Sequence, residues 1–228
     1  MPAFDNKLIV VTGALGVLGT VVAGMAEAAG ARVAHVDHAQ GKPPGPLVFC
    51  GVDLTDEAVA TRTMAAIAAR GGGKIDGLVN IAGGFAWRAL KDDGAETWEH
   101  MFRMNVLTTV NASRGALDAL VAARGAIVNI GANAAARAAA GMGAYAASKS
   151  GVLRLTESLA EELAGEVRVN AVMPSIIDTP TNRRDLPKAD FSSWVLPEDI
   201  AAVILFLLSD EARAVTGAAI PVTNPRRS

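Results

Sequence analysis

Tyr145 and Lys149 stand four residues apart in Tyr145-Ala146-Ala147-Ser148-Lys149. On a helix that spacing puts a phenol and an ammonium on one face. A cation beside a phenol lowers its pKa, so the pair is suited to moving a proton. A second signature lies near the start of the chain. Thr12-Gly13-Ala14-Leu15-Gly16-Val17-Leu18-Gly19 has glycines at 13, 16 and 19 and follows the β-branched run Leu8-Ile9-Val10-Val11. Glycines between a strand and a helix let the backbone approach a pyrophosphate, and the helix N-terminus supplies N–H donors. A plain helix-packing turn would carry the same glycines. Asp37 closes the second apolar run, where a carboxylate accepts hydrogen bonds from an adenosine ribose and repels a 2′-phosphate. Neither Leu15 nor His38 supplies a permanent cation to offset that repulsion. The turn and Asp37 together point to NAD, with NADH preferred over NADPH; a solvated strand-end carboxylate is the other reading of Asp37.

The elements that must position these groups follow from periodicity. Leu18, Val21, Val22 and Met25 recur at helical spacing, and Gly30 supplies a stop. Ala31 to Val36 reads as a strand, and a Gly/Pro loop over 41–46 leads to a third strand at Leu47-Val48-Phe49-Cys50. Thr55 reads as the N-cap of a helix that ends at Gly71-Gly72-Gly73. The alternation continues with a strand at Asp76 to Ile81, a long helix over about Ala95 to Ala123 and a strand at Gly125 to Ile130. A helix over Gly143 to Leu163, a strand at Val167 to Met173, a helix opening at Pro197 and a last strand at Ala218 to Val222 complete it. Such alternation predicts a single-domain, doubly wound α/β fold of the Rossmann type, with about seven parallel strands covered by helices on both faces. The aperiodic segment 174–195 is expected to be a substrate lid.

Composition narrows the function. The 228 residues are 51% hydrophobic, with 21 Lys and Arg against 23 Asp and Glu, which suits one domain with its own core and removes the electrostatic route to nucleic acid or anionic membrane. Cys50 is the single cysteine and reads as packing, so no intramolecular disulfide is expected. His35, His38 and His100 lack metal-ligand spacing, and no metal is expected. The N-terminal residues show no basic stretch followed by an apolar one, and no apolar run reaches membrane-spanning length, so a cytoplasmic location is expected.

Taken with Asn80-Ile81-Ala82-Gly83 and Asn105, the glycine turn and the Tyr145/Lys149 pair resemble the short-chain dehydrogenase/reductase family from end to end. The resemblance implies that Tyr145 and Lys149 are catalytic, Tyr145 handling the proton while Lys149 contacts the nicotinamide ribose, and that Asn105 holds a water in a proton relay. It implies coenzyme contacts at Gly13, Leu15, Gly16, Leu18, Gly19 and Asp37, at Asp53 beside the adenine, at Asn80, Ala82 and Gly83, and at Pro174, Ile177 and Thr179. A homodimer or homotetramer through helices at about 97–123 and 143–163 is also implied, with Ala116, Leu117, Leu120, Val152, Leu155 and Leu159 available for its apolar face.

Two departures stand out. Thirteen residues before Tyr145, where that family has a substrate-orienting serine, this chain has Ala132; and Pro174-Ser175 replaces the family's Pro-Gly. Loss of one oxyanion donor costs about 10²–10³ in rate. Asn133 is open as a replacement, although strand alternation points it to the opposite face. Within the family, Ala82-Gly83-Gly84-Phe85, Ala132 and Asp178-Thr179-Pro180-Thr181-Asn182-Arg183 through Trp194 resemble the dihydropteridine reductase branch, most strongly over 127–196; Asn105 and the short C-terminal end do not follow it. That resemblance implies hydride transfer from NADH to a quinonoid dihydropteridine or similar planar heterocycle, with Phe85, Trp87 and Trp194 as candidates for stacking on the ring. Two other readings stay open: a carbonyl, 3-oxoacyl-type or alcohol enzyme in which Asn133 replaces the serine, and a catalytically weak dinucleotide-binding sensor or scaffold.

Overall fold

The computed structural model describes residues 3–41, 45 and 47–224; most of the Gly/Pro loop at 41–46 lies outside them. Leu8–Thr12 forms β1, all five residues buried, and the glycine turn leads into α1 (Val17–Ala28). β2 (Arg32–Asp37), β3 (Val48–Cys50) and α2 (Glu57–Arg70) follow. Asp56, one residue after the expected cap, accepts from Val59 N–H at 3.0 Å and starts α2. β4 (Gly77–Asn80) precedes α3 (Ala95–Phe102) and α4 (Thr108–Ala123). β5 (Ala126–Ile130), α5 (Gly143–Glu162), β6 (Arg168–Pro174), α6 (Pro180–Asp185), α7 (Pro197–Leu208) and β7 (Ala219–Val222) complete the chain.

The seven strands form one parallel sheet in the order β3-β2-β1-β4-β5-β6-β7. Alternation along the buried strands divides the core between the two faces. Ile9, Val11, Val79, Val128 and Val172 meet Val22 and Ala26 of α1 and Ile200 and Ile204 of α7. Leu8, Val10, Leu78 and Ile127 meet Met64 and Ile67 of α2 and Ala116 and Leu120 of α4. The strand order reverses between β1 and β4, and in open sheets of this kind the crevice that binds a ligand lies at the C-terminal ends of the strands beside such a reversal.

The single long helix expected over 95–123 is interrupted. Arg103–Leu107 forms one π-helical turn between α3 and α4, and Asn105, 1% exposed, lies in it. The wider turn lets the Asn105 side chain reach the segment after β4, where Gly84 N–H donates to its Oδ1 at 2.9 Å and its Nδ2 donates to Gly84 O at 3.1 Å. The segment expected as a lid holds α6 and a 3₁₀ turn at Phe191–Ser193, and its ends are joined by a parallel bridge between Ile177 and Val195.

Candidate functional site

The crevice is built from the glycine turn and the turn after β4. Gly13 has φ +65°, and a Cβ on it would lie 2.9 Å from Ala82 N, so the two turns close on each other only because this residue is glycine. A Cβ on Gly19 would lie 2.1 Å from Gly13 O, which fixes α1 hard against the turn. Thr12 Oγ1 accepts from Ile81 and Ala82 N–H at 3.1 and 3.2 Å and ties the ends of β1 and β4. Among the described residues no side chain caps α1, and no acidic residue occupies its first turn, so its positive end is available to an anion.

Asp37 sits beside this turn. Its Oδ2 accepts from Leu15 N–H and its Oδ1 from Ala39 N–H, both at 2.8 Å, so the carboxylate is held in place with lone pairs to spare. Asp53 is exposed; Thr55 hydrogen bonds, with His38 and Arg103 nearby, hold its carboxyl below the usual range. Leu18 is buried on the core face of α1, so only its backbone can serve a ligand. Asn80 turns away from the crevice: Nδ2 donates to Ser113 Oγ at 3.1 Å and to Asn129 Oδ1 at 2.9 Å, bracing β4 against α4 and β5. Pro174 ends β6 and is buried, Ile177 is half-buried beside it, and Thr179 Oγ1 caps α6 by accepting from Asn182 N–H at 3.1 Å.

On the other wall, α5 carries Tyr145 and Lys149 toward the turn after β4. Lys149 is 6% exposed and donates from Nζ to Ile130 O at 2.7 Å. A Cβ on Gly83 would lie 3.6 Å from that Nζ and 2.5 Å from Asn105 Oδ1, so the turn, Asn105 and the ammonium converge on one spot. Burial lowers the ammonium to about 8 and raises the Tyr145 phenol to about 12. The depressed phenol expected from the sequence is therefore corrected: in the protein alone the cation is spent on a strand carbonyl, and desolvation governs both groups. The phenol hydroxyl has no hydrogen-bond partner among the described residues.

Ala132 is buried in extended backbone at the end of β5, and Asn133, itself exposed, opens a 3₁₀ turn. Phe85 is 57% exposed and meets the Tyr145 ring edge-on, centroids 4.9 Å apart. Trp87, equally exposed, donates from Nε1 to Ala140 O at 2.9 Å. Trp194 does not reach the crevice surface. It is 3% exposed, its ring packs on Phe191 at 4.7 Å, and Asn224 Nδ2 donates to its carbonyl, so it anchors the 174–195 segment instead of offering a face to a ligand.

The family profile described as enoyl-(acyl carrier protein) reductase matches residues 13–224. The chain belongs to the short-chain dehydrogenase/reductase family. Among curated members, it is 33% identical to 2-(S)-hydroxypropyl-CoM dehydrogenase 3 of Xanthobacter autotrophicus, over 95% of each chain. It is 31% identical to meso-2,3-butanediol dehydrogenase of Serratia marcescens, over 96% of this chain and 94% of that one. Among solved structures of the family, a glucose/ribitol dehydrogenase-type short-chain dehydrogenase/reductase of Brucella melitensis superposes with TM-score 0.89 at 30% identity, over 97% of this chain and 96% of that one. Ligand-free aldohexose dehydrogenase of Thermoplasma acidophilum gives 0.88 at 26%, over 96% and 93%. The chain is therefore an oxidoreductase domain of a family that uses NAD(P).

One residue that the sequence did not mark joins Asn105 to α5. Ser148, 4% exposed, accepts from Asn105 Nδ2 at 2.9 Å and donates to Tyr145 O at 2.7 Å. Its signal was a hydroxyl next to Lys149 on the buried side of a helix. Among the described residues no group of three or more His, Cys, Asp or Glu is placed to hold a metal, and no helix is long and apolar enough to cross a membrane.

Proposed function

We propose that the protein is an NADH-dependent reductase that delivers hydride to a quinonoid dihydropteridine or a similar planar, conjugated heterocycle, acting in the cytoplasm. The observation that carries this reading is the pairing of an intact Tyr145–Lys149 wall with a methyl group, Ala132, where a carbonyl-orienting hydroxyl would stand. A flat heterocycle offers several hydrogen-bonding atoms and a stacking face, so it can be oriented without that hydroxyl. Exposed Phe85 supplies apolar surface beside Tyr145, and exposed Trp87 two residues on adds a second ring, such contacts being worth about 0.5–1.5 kcal/mol per aromatic pair beyond area burial.

The residues fit the coenzyme. The Gly13 and Gly19 cradle and the uncapped α1 suit the pyrophosphate, and Asp37 suits the ribose hydroxyls and disfavours a 2′-phosphate. When bound, the reduced nicotinamide supplies the hydride. Tyr145, neutral throughout the physiological range, gives the proton to the reduced acceptor. Lys149, still largely protonated at neutral pH, offers its remaining donors to the ribose and stabilises the developing phenolate. The Asn105 side chain is spent on Gly84 and Ser148, which leaves its main-chain carbonyl, already accepting from Thr109 Oγ1 at 2.8 Å, as the atom for a relay water.

Anaerobic mixing of the protein with NADH and freshly generated quinonoid dihydropterin tests the reading: NADH absorbance should fall well above the uncatalysed rate, and absence of that excess removes it. A second reading, an alcohol or ketone enzyme, is favoured by relatives named for hydroxypropyl-CoM and butanediol. Oxidation of simple secondary alcohols with NAD⁺ by the unaltered protein would select it. Under the first reading that activity is low and rises about 10²–10³-fold in Ala132→Ser, which restores an oxyanion donor.

The proposal includes a homodimer or homotetramer. Of the residues available for its apolar face, Ala116, Leu120 and Val152 are used inside the protomer, whereas Leu117, Leu155 and Leu159 are only half-buried. Trp98 and Phe102, one turn apart on α3, add exposed aromatic surface. Light scattering at micromolar concentration should give a mass at least twice that of the chain.

A further inference from the structure

Ser148 is not exposed to a ligand, yet it joins both walls of the crevice. Its hydroxyl proton is committed to Tyr145 O at 2.7 Å, one helical turn back on α5. With the proton spent, Ser148 Oγ can act toward Asn105 only as an acceptor, and Asn105 Nδ2 donates to it at 2.9 Å. The orientation is the one that Gly84 N–H, a donor needing Oδ1, also requires, so the amide bridges the two walls with one sense. Its NH₂ must point to α5, and its Oδ1 is left facing Gly84 N–H at 2.9 Å. The other amide proton goes to Gly84 O at 3.1 Å, so both side-chain protons and the oxygen are used. The reversed amide would set Oδ1 against Ser148 Oγ with no proton between them, and its NH₂ against Gly84 N–H.

We infer that Ser148 is a positioning residue: through the Asn105 amide it fixes the turn at Ala82-Gly83-Gly84 at a set distance from the Tyr145–Lys149 face of α5. The inference rests on the reading that those two residues flank the nicotinamide, and it goes beyond that reading in assigning the spacing of the two walls to a hydroxyl that touches neither coenzyme nor acceptor. The close approach at Gly83 explains why the spacing needs a dedicated clamp. A Cβ there would lie 2.5 Å from Asn105 Oδ1, so the turn rests directly on the amide that Ser148 holds to α5. Phe85, next in the chain after Gly84, carries the ring that packs edge-on against Tyr145, so displacement of the turn also displaces the cover of the phenol.

Hydrogen exchange of the coenzyme-free protein, followed by NMR at the Gly84 amide, tests this without any substrate. In Ser148→Ala the Asn105 amide loses its anchor on α5, and Gly84 N–H should exchange about tenfold faster or more, while the amides of Val79 and Val128 in the central strands are unchanged. Ser148→Cys, close in volume but a weak acceptor, gives the same result if the alanine variant folds poorly. Ser148→Thr, which keeps a hydroxyl able to bond the preceding helical turn, restores protection. Unchanged Gly84 exchange in both the Ala and Cys variants overturns the inference. So does acceleration spread equally over the central strands, which would mark a general loss of stability. With an acceptor in hand, Ser148→Ala should lower kcat about tenfold or more and leave KM for NADH within about twofold. Asn105→Ala with Ser148→Ala should lose no more than Asn105→Ala alone; multiplying losses would show that Ser148 does not act through Asn105. Failure to find any acceptor would defeat the proposed reaction and leave the exchange result standing.

Discussion

Lys149 donates its ammonium to the main-chain carbonyl of Ile130 at 2.7 Å and makes no hydrogen bond to the phenol of Tyr145. In the protein alone the strand and the helix therefore share the cation, and its burial is a cost that folding must meet. Folded Lys149 titrates at about 8, against 10.5 when exposed. A lowered folded value means stability present above 10.5 and lost as pH falls through 8, because the ammonium is charged in both states at pH 7 and must be desolvated. Lys149→Met removes that cost and orphans one carbonyl. We expect it to be more stable at pH 7 by about 1–3 kcal/mol, several degrees in Tm, with the advantage gone above pH 10.5. Thermal melts at the two pH values check this, and reductase activity should be lost at both.

Tyr145 is the only tyrosine in the chain, so phenolate absorbance reports it without ambiguity. In the coenzyme-free protein the phenolate should develop near 12 and not near 10. Its raised folded value predicts stability that is intact below pH 10 and lost as pH rises toward 12, a slope that Tyr145→Phe should reduce. The same substitution removes the proton donor and should lower kcat by about 10²–10⁴ with little change in NADH binding by calorimetry.

Asp37 lies beside the glycine turn with both oxygens held by backbone N–H groups. Asp37→Ser keeps a short polar group and deletes the charge. KM for NADH should rise and that for NADPH fall, each by about tenfold, since a hydrogen bond to a charged group contributes about 1.5–3 kcal/mol. Steady-state kinetics with the two coenzymes measure the change, and unchanged ratios would remove Asp37 as the selector.

The two tryptophans expected to stack on a substrate should separate cleanly. Trp194→Ala, at a site 3% exposed, should cost about 3–5 kcal/mol in denaturant unfolding. Trp87→Ala, 57% exposed, should leave stability nearly untouched and raise KM for the acceptor.

The glycine spacing at 13, 16 and 19, the β-branched runs and the four-residue step from Tyr145 to Lys149 are local patterns, and local patterns survive in a linear sequence. They were enough to expect a parallel, doubly wound sheet and to recognise the family, because parallel neighbours need crossover connections; the strand order itself came from the tertiary structure. The broken helix at 103–107 was not legible, since the residues around Asn105 favour a continuous helix as well as a π turn. What opens the turn is Gly84, 21 residues away, whose N–H and carbonyl draw the Asn105 side chain in. Trp194 looked like a stacking face because an aromatic in an aperiodic segment carries no mark of burial; Phe191 and Asn224 decided it.

The sequence by itself determined that a phenol and an ammonium share a helix face, and that a glycine turn with an acid after it can hold a dinucleotide, because both depend on spacing within one element. Only the tertiary structure decided that the ammonium rests on Ile130, that the phenol is raised by burial and not lowered by its neighbour, and that Ser148 clamps the two walls. Those outcomes depend on desolvation and on partners from distant strands, which no spacing along the chain encodes.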